Sequence, residues 1–253
     1  MKLTFLGTGT STGVPQIGCH CDICTSTDAR DSRLRTSAIV TTDSGANILI
    51  DCGPDFRTQI LGVGSPDLEA LLITHSHYDH TGGIDDLRPY CNGGRHFPTY
   101  CTADVARDLR ARNPWSFAEH LYPGVPTFAI TEVRPFEPFE LGGTTILPLA
   151  VMHGQLPILG FKFGTRLAYI TDCKTLPQAS IEAIAGIDTL IINALRPEPH
   201  PTHLSVSEAL AVVERIRPRR TYFIHASHNM GRHAIVRLPD GIELAYDGLT
   251  IEV

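Results

Sequence analysis

The stretch Thr74-His75-Ser76-His77-Tyr78-Asp79-His80-Thr81-Gly82-Gly83 decides the reading of this chain. It follows Ala70-Leu71-Leu72-Ile73, an apolar run of the length of a buried strand. Four potential metal ligands fall between His75 and His80. Side chains two apart in an extended segment point to the same side, so His75 and His77 can grip one ion. Asp79 and His80 come where the chain turns and can face a second ion beside the first. Imidazole and carboxylate suit zinc, manganese or iron. Read instead as a polar loop bonded only to backbone, the segment would crowd these side chains behind an apolar strand at a desolvation cost with no compensating partner.

Outward from this segment, short β-rich runs bounded by Gly, Asp and Ser fill the start of the chain: Leu3–Leu6, then Ser37–Thr42 and Asn47–Asp51. Asp43-Ser44-Gly45 between the last two reads as a hairpin turn. Later strands are expected at Thr144–Leu149, Gly160–Phe163, Leu167–Thr171, Thr189–Asn193, Thr221–His225, Ile242–Tyr246 and Thr250–Val253. Helical patterns occupy Ala103–Arg110, Pro177–Ala185 and Val206–Ile216. The last has the sharpest limits, a capping box of Ser205 and Glu208 and Pro218 just past its end. Asn113–Pro126, rich in Pro and aromatics, reads as an irregular insert. Strands first, then strands alternating with helices, predict an α/β (α+β) protein of layered sheets covered by helices. No repeat, low-complexity tract or linker breaks residues 1–253, so one domain is expected.

With 42% hydrophobic and 19% charged residues the chain reads as an ordinary globular protein. Its formal charge of −6 and lack of a basic run argue against a large nucleic acid partner. No apolar stretch approaches a membrane span or the core of a signal peptide, which makes the cytoplasm the expected location and excludes a membrane role. In that compartment the seven cysteines read as metal ligands or buried thiols rather than disulfides.

The H-x-H-x-D-H element resembles the metallo-β-lactamase superfamily, and the superfamily's other ligand positions follow in order along nearly the whole chain. His153, in Ala150-Val151-Met152-His153-Gly154, matches the third ligand of the first metal; Asp172, in Tyr169-Ile170-Thr171-Asp172-Cys173, the bridging carboxylate; His225, in Tyr222-Phe223-Ile224-His225, the last ligand of the second metal. Each alone would be read as structural; as an ordered set at strand ends they are specific. The resemblance implies an αββα sandwich with the site at one edge of two sheets. It implies two divalent ions, zinc or manganese, with His75, His77 and His153 on one, Asp79, His80 and His225 on the other, and Asp172 shared. A water between such ions loses its proton near neutral pH, giving hydroxide as nucleophile, and the ions can stabilise charge developing on substrate. Asp51, by the same resemblance, supports the site without binding metal.

A second cluster is Gly18-Cys19-His20-Cys21-Asp22-Ile23-Cys24. C-x-C-x2-C has metal-binding spacing but only three thiolates, and a closed tetrahedral zinc site needs a fourth ligand. His20 and His228 are the candidates, the former constrained between two cysteines. The bland alternative is a set of reduced buried thiols, as expected of Cys52, Cys91, Cys101 and Cys173. This loop, with Gly7-Thr8-Gly9, Gly13-Val14-Pro15 and His225-Ala226-Ser227-His228, makes the chain most similar to the PhnP-like cyclic phosphodiesterases. That resemblance implies a structural zinc on Cys19, Cys21, Cys24 and His228, a small, possibly cyclic ribosyl, phosphodiester as substrate, and suggests a homodimer.

His203, in Pro201-Thr202-His203-Leu204-Ser205, matches a position where phosphodiesterases of the superfamily carry a non-ligand histidine. The resemblance gives it a catalytic role: stabilising the transition state or, protonated, donating to the leaving oxygen. The helix start beside it would favour an anion. A surface histidine in a Pro-rich loop is the plain reading, and His200 is the competitor. Arg57 and Arg88 read as solvated surface groups. Rival functions are a thioester hydrolase or lactamase-type amidase on the same metal pair, a tRNA-processing ribonuclease, whose Gly-rich basic arm is not found here, and a non-enzymatic PqqB-like biosynthesis protein with an incomplete site. The filling of all seven ligand positions argues against the last.

Overall fold

The computed structural model describes residues 1–253. Its strands are β1 (Lys2–Gly7), β2 (Ser37–Thr41), β3 (Asn47–Ile50), β4 (Ala70–Leu72), β5 (Phe97–Cys101), β6 (Phe128–Glu132), β7 (Phe139–Leu141), β8 (Thr144–His153), β9 (Leu156–Phe163), β10 (Leu167–Ile170), β11 (Thr189–Asn193), β12 (Arg220–Ile224), β13 (Ile242–Leu244) and β14 (Thr250–Glu252). They form two seven-stranded sheets, ordered β14-β1-β2-β3-β4-β5-β6 and β13-β12-β11-β10-β9-β8-β7.

Period-two alternation assigns the faces. Leu3, Phe5, Ala38, Val40, Ile48 and Ile50 of the first sheet point inward to meet Ile146, Phe161, Phe163, Tyr169 and Ile191 of the second. Their neighbours Ile39 and Leu49 point outward, where Phe56, Ile60, Val105 and Leu109 cover them. Those four belong to α1 (Phe56–Gly62) and α3 (Ala103–Arg112). On the far side Ile170, Leu190, Ile192 and Phe223 pack under Ile181, Ala209, Val212 and Ile216, which lie on α4 (Gln178–Ala183) and α5 (Val206–Ile216). The layers are therefore αββα, as the resemblance implied. The strands β10, β11, β12 and β13 run parallel, as do β3, β4 and β5. Their carboxyl ends gather at one edge, the usual address for a site in such sheets. There the two sheets are joined directly: Leu159 N–H donates to Thr74 O at 3.0 Å.

The capping box on α5 is present, with Ser205 and Glu208 bonded reciprocally, and the helix ends at Arg217 in a left-handed conformation before Pro218. The turn expected at Asp79 is a helix of one turn, α2 (Tyr78–Thr81). The sequence reading did not find α1, β5, β6 or β7, and placed the start of β9 too late. Residues 113–126 hold only a short 3-10 turn, Pro114–Ser116, as expected of an insert.

Candidate metal centre

Every candidate ligand at the sheet edge sits on or just after a strand. His75 and His77 follow β4, with α2 carrying Asp79 and His80; His153 is the last residue of β8; Asp172 follows β10 and His225 follows β12. Asp51, Asp172 and His225 have φ of 59, 52 and 58°, a left-handed conformation that non-glycine residues avoid. Three such residues at one edge mark strain held by the surrounding structure.

Asp172 is held through its neighbour. Cys173 N–H donates to Asn193 Oδ1 at 2.7 Å, and Asn193 Nδ2 donates back to Cys173 O at 3.0 Å. Asn193 is a buried amide ending the otherwise apolar strand Thr189-Leu190-Ile191-Ile192-Asn193. The sequence reading counted it only as a strand end; a buried amide closing an apolar strand was the available signal.

The ligand atoms of His75, His77 and His153 lie within 4.8 Å of one another, as do those of Asp79, His80, Asp172 and His225. Asp172 reaches both groups: its carboxylate is 3.9 Å from His75 Nε2 and 3.3 Å from the Nε2 atoms of His80 and His225. The surroundings fix the imidazole tautomers. Thr74 Oγ1 donates its one proton to Asp51 Oδ2 at 2.8 Å, so at 3.0 Å it accepts from His75 Nδ1. His80 Nδ1 donates to Asp51 Oδ2 at 2.7 Å, and His153 Nδ1 to Thr202 O at 2.9 Å. In each ring Nε2 is left to face the centre. His75 Nε2, His80 Nε2 and His225 Nε2 are buried with no hydrogen-bond partner, an arrangement that costs free energy unless a cation takes the lone pairs. Burial lowers the pKa of His80, but Asp172, Asp51 and Asp79 outweigh it and raise it well above the ordinary value. Burial raises that of Asp172, yet His225 and His80 outweigh it and hold the carboxyl well below its usual range. Such a centre demands positive charge, and the donor set fits divalent cations.

His203 lies beside this centre, its Nδ1 buried, unpartnered and 4.0 Å from Asp172 Oδ2. Its ring stacks on His153 at 4.6 Å and on His200 at 5.0 Å. Burial, with His225 next, pushes its pKa down to about 3. This holds the imidazole neutral on its own; the protonated form expected from the sequence is the one that a nearby phosphate anion favours. The second expectation for this loop changes: the start of α5 is already occupied by the Glu208 carboxylate, which accepts Ser205 N–H at 2.8 Å and pairs with Lys174 at 2.6 Å. It is not a free anion site. His200 is held below its ordinary pKa by burial and then by Arg196 and Lys174.

In the N-terminal loop Cys19, Cys21 and Cys24 converge on a single atom, His228 Nδ1, with Sγ distances of 3.3, 3.5 and 3.5 Å. His20 is not part of this group. The amide of Cys24 lowers the exposed Cys21 thiol to about 6, while burial raises Cys24 to about 11. Cys52, Cys101 and Cys173 are buried, as expected, and Cys91 is partly exposed.

Residues 46–226 match the beta-lactamase superfamily domain. A solved diphosphatase of the PhnP family is 40% identical, covers 99% of this chain and 96% of its own, and superposes with a TM-score of 0.90. The chain belongs to the beta-lactamase superfamily and, within it, to the PhnP family. An octanoyltransferase of Porphyromonas gingivalis is 43% identical over 252 residues, which are 98% of this chain but 51% of that protein. The chain thus spans about half the length of that relative. The fold is shared with zinc-bound PqqB of Methylobacterium extorquens, 22% identical, with full coverage of both chains and a TM-score of 0.79. Membership and fold support a metallohydrolase and imply divalent metal ions. No helix is long and apolar enough to cross a membrane.

Proposed function

We propose that the protein is a dinuclear metal-dependent phosphodiesterase acting on a small, possibly cyclic ribosyl, diester. The observation that carries this reading is His203: a buried imidazole outside both ligand triads, unpartnered at Nδ1 and beside the carboxylate the triads share. In this reading His75, His77 and His153 hold one cation and Asp79, His80 and His225 the other, with Asp172 common to both. When bound, the cations supply Lewis acidity and lower the pKa of water at the site toward neutrality. The chain's own residues do the rest. Asp51, Thr74 and Thr202 hold the imidazoles with Nε2 inward, and Asn193 holds the turn that presents Asp172. Neutral His203 offers an N–H to a phosphate oxygen, and a bound anion raises its pKa toward the range in which it can protonate a leaving alkoxide. A zinc on Cys19, Cys21, Cys24 and His228 is proposed as structural, and the reducing cytoplasm, where such thiols persist, as the working compartment.

One observation favours a second reading. The 40%-identical solved neighbour is a diphosphatase, and a diphosphate linkage presents the same anionic phosphorus with a better leaving group. The test is a hydrolysis panel on metal-replete protein: a cyclic nucleotide, a ribosyl cyclic phosphate, an aryl diester, a dinucleoside diphosphate, an octanoyl thioester and a β-lactam. The diesters are expected to be turned over. His203→Ala is expected to lose about 10²–10⁴-fold in kcat on the sugar diester and less on the aryl diester, whose leaving group needs less protonation. Turnover of the diphosphate alone would move the assignment to the second reading. Turnover confined to the thioester, the linkage suggested by the octanoyltransferase relative, would overturn both.

A further inference from the structure

We propose that Asp108 and Arg112 of α3 are positioning residues for His77, and that through it they set how tightly the cation of the first triad is held. The inference rests on the two-cation reading and deepens it, because it makes the two cations unequal.

The candidate ligands differ in how they are fixed. Asp79, His80, Asp172 and His225 are all buried. His75 and His153 have partners at Nδ1, in Thr74 and in the carbonyl of Thr202. His77 is exposed, and no hydrogen bond orients its ring. The ring lies edge-on to two other candidate ligands, His75 at 4.5 Å and His153 at 5.2 Å, which supply contact but no directional hold. The direction of His77 is therefore set by its backbone. On one side, His80 N–H and Thr81 N–H donate to His77 O at 3.0 and 3.1 Å, at the start of α2. On the other side stands Ser76, between the two histidines, and α3 takes hold of it. Ser76 Oγ donates to Asp108 Oδ2 at 2.5 Å, and Arg112 Nη1 donates to Ser76 O.

Asp108 and Arg112 stand one helical turn apart, the spacing at which an acid and a base ordinarily pair with each other. Asp104 and Arg107 on the same helix do pair. Asp108 and Arg112 turn to Ser76 instead, one to its side chain and the other to its main chain. Thr81 Oγ1 is a weaker substitute for Arg112. It lies 3.0 Å from His77 O and 3.3 Å from Ser76 O, and its single proton serves the nearer. The support itself is rigid: α3 buries Val105, Ala106 and Leu109 in the core outside the first sheet, and Thr102 caps its start. Neither Asp108 nor Arg112 belongs to a ligand group, so both act through Ser76. A hydrogen bond that fixes a ligand's orientation typically changes metal affinity by about 10–100-fold.

The test counts zinc per chain by mass spectrometry as the metal-replete protein is dialysed against zinc buffers of falling free concentration. Cys21→Ser identifies the step that belongs to the N-terminal loop. The native protein should lose its sheet-edge ions in two further steps, and His77→Ala should abolish the weaker of them. Asp108→Ala and Arg112→Gln should each move that weaker step to free zinc about 10–100-fold higher and leave the tighter step within about twofold. Asp108→Asn, which still accepts from the Ser76 hydroxyl, should restore most of the affinity, and Arg112→Lys part of it; a general loss of structure would not be rescued in this way. A weaker step unmoved in both Asp108→Ala and Arg112→Gln would overturn the inference and leave the two-cation reading intact. Equal shifts of both steps would also overturn it, since α3 would then be only a prop for the whole edge. A native protein with a single sheet-edge ion, from which His77→Ala removes nothing, would end the two-cation reading and the inference with it.

Discussion

At the sheet edge the candidate ligands come from segments far apart in sequence, are mostly buried, and are set by strand ends and left-handed backbone. In the N-terminal loop Cys19, Cys21 and Cys24 are near neighbours at the surface, and only His228 comes from afar. The first cluster depends on the whole sandwich for its geometry. The second makes its own geometry and uses it to tie a loop to the sandwich. The two meet on one segment, because His225 faces the first and His228 the second. The expectation is that damage to the first cluster abolishes chemistry and leaves the fold, while damage to the second weakens the fold and leaves chemistry.

The largest effect is expected from Asp172→Ala. It removes the carboxylate that reaches both triads, yet Asp172 contributes no apolar packing. Turnover should fall by more than about 100-fold, beyond the usual cost of losing a supporting hydrogen bond at a metal site. Metal content by mass spectrometry should drop while the thermal unfolding midpoint stays close to that of the native protein. Full activity in this variant would end the two-cation reading and with it the comparison.

An intermediate effect is expected from Asn193→Ala, which sharpens the comparison by asking whether the fold sets the first cluster. The substitution leaves Cys173 N–H and C=O without Asn193, although Cys173 O keeps Leu204 N–H at 2.8 Å. Nothing then clamps the amide that follows Asp172. Metal affinity, measured by competition with a chelator, should weaken about 10–100-fold. A lowered melting temperature with unchanged metal affinity would make Asn193 a packing residue only.

How much of this was legible in the sequence differs between the same two regions. The run from His75 to His80 announces itself because ligands two apart after an apolar strand have few other uses. His153, Asp172 and His225 do not, since each is a lone polar residue after an apolar run, and only the family's ordered pattern singled them out. The left-handed turns at Asp51, Asp172 and His225 and the Asn193 clamp arise from contacts between strands distant in sequence, which periodicity does not carry. The strand β5 was missed because Phe97-Pro98-Thr99-Tyr100-Cys101 holds a proline and follows a glycine-rich segment, both strand breakers, and α1 because its seven residues are too few for a helical period to show. For His203 the position was legible, whereas the burial and the neighbouring His225 that lower its pKa arise from contacts between distant segments that the sequence does not carry.

The smallest effect on chemistry is expected from Cys21→Ser, and it tests the other half of the comparison. Cys21 is exposed, so its replacement leaves no cavity. What it removes is one of the sulfurs around His228 Nδ1. If a zinc sits there, Cys21→Ser should lose about one zinc per chain, and the native protein should show Zn–S distances near ~2.3 Å by X-ray absorption. The melting temperature should fall, since the loop and the 228 segment lose their tie. Turnover at low temperature should change little, because the segment carrying His225 is held independently. Ser227 donates to Leu195 O through both its amide and its hydroxyl, at 2.9 and 3.1 Å. Ala226 exchanges backbone bonds with Thr8 and Thr10 at 3.0 and 3.2 Å. These bonds keep His225 in place when His228 is released. Turnover that collapses together with the zinc would show that they do not suffice, and the N-terminal loop would then belong to the catalytic centre. Bound zinc with only nitrogen and oxygen neighbours would remove the thiolate site altogether.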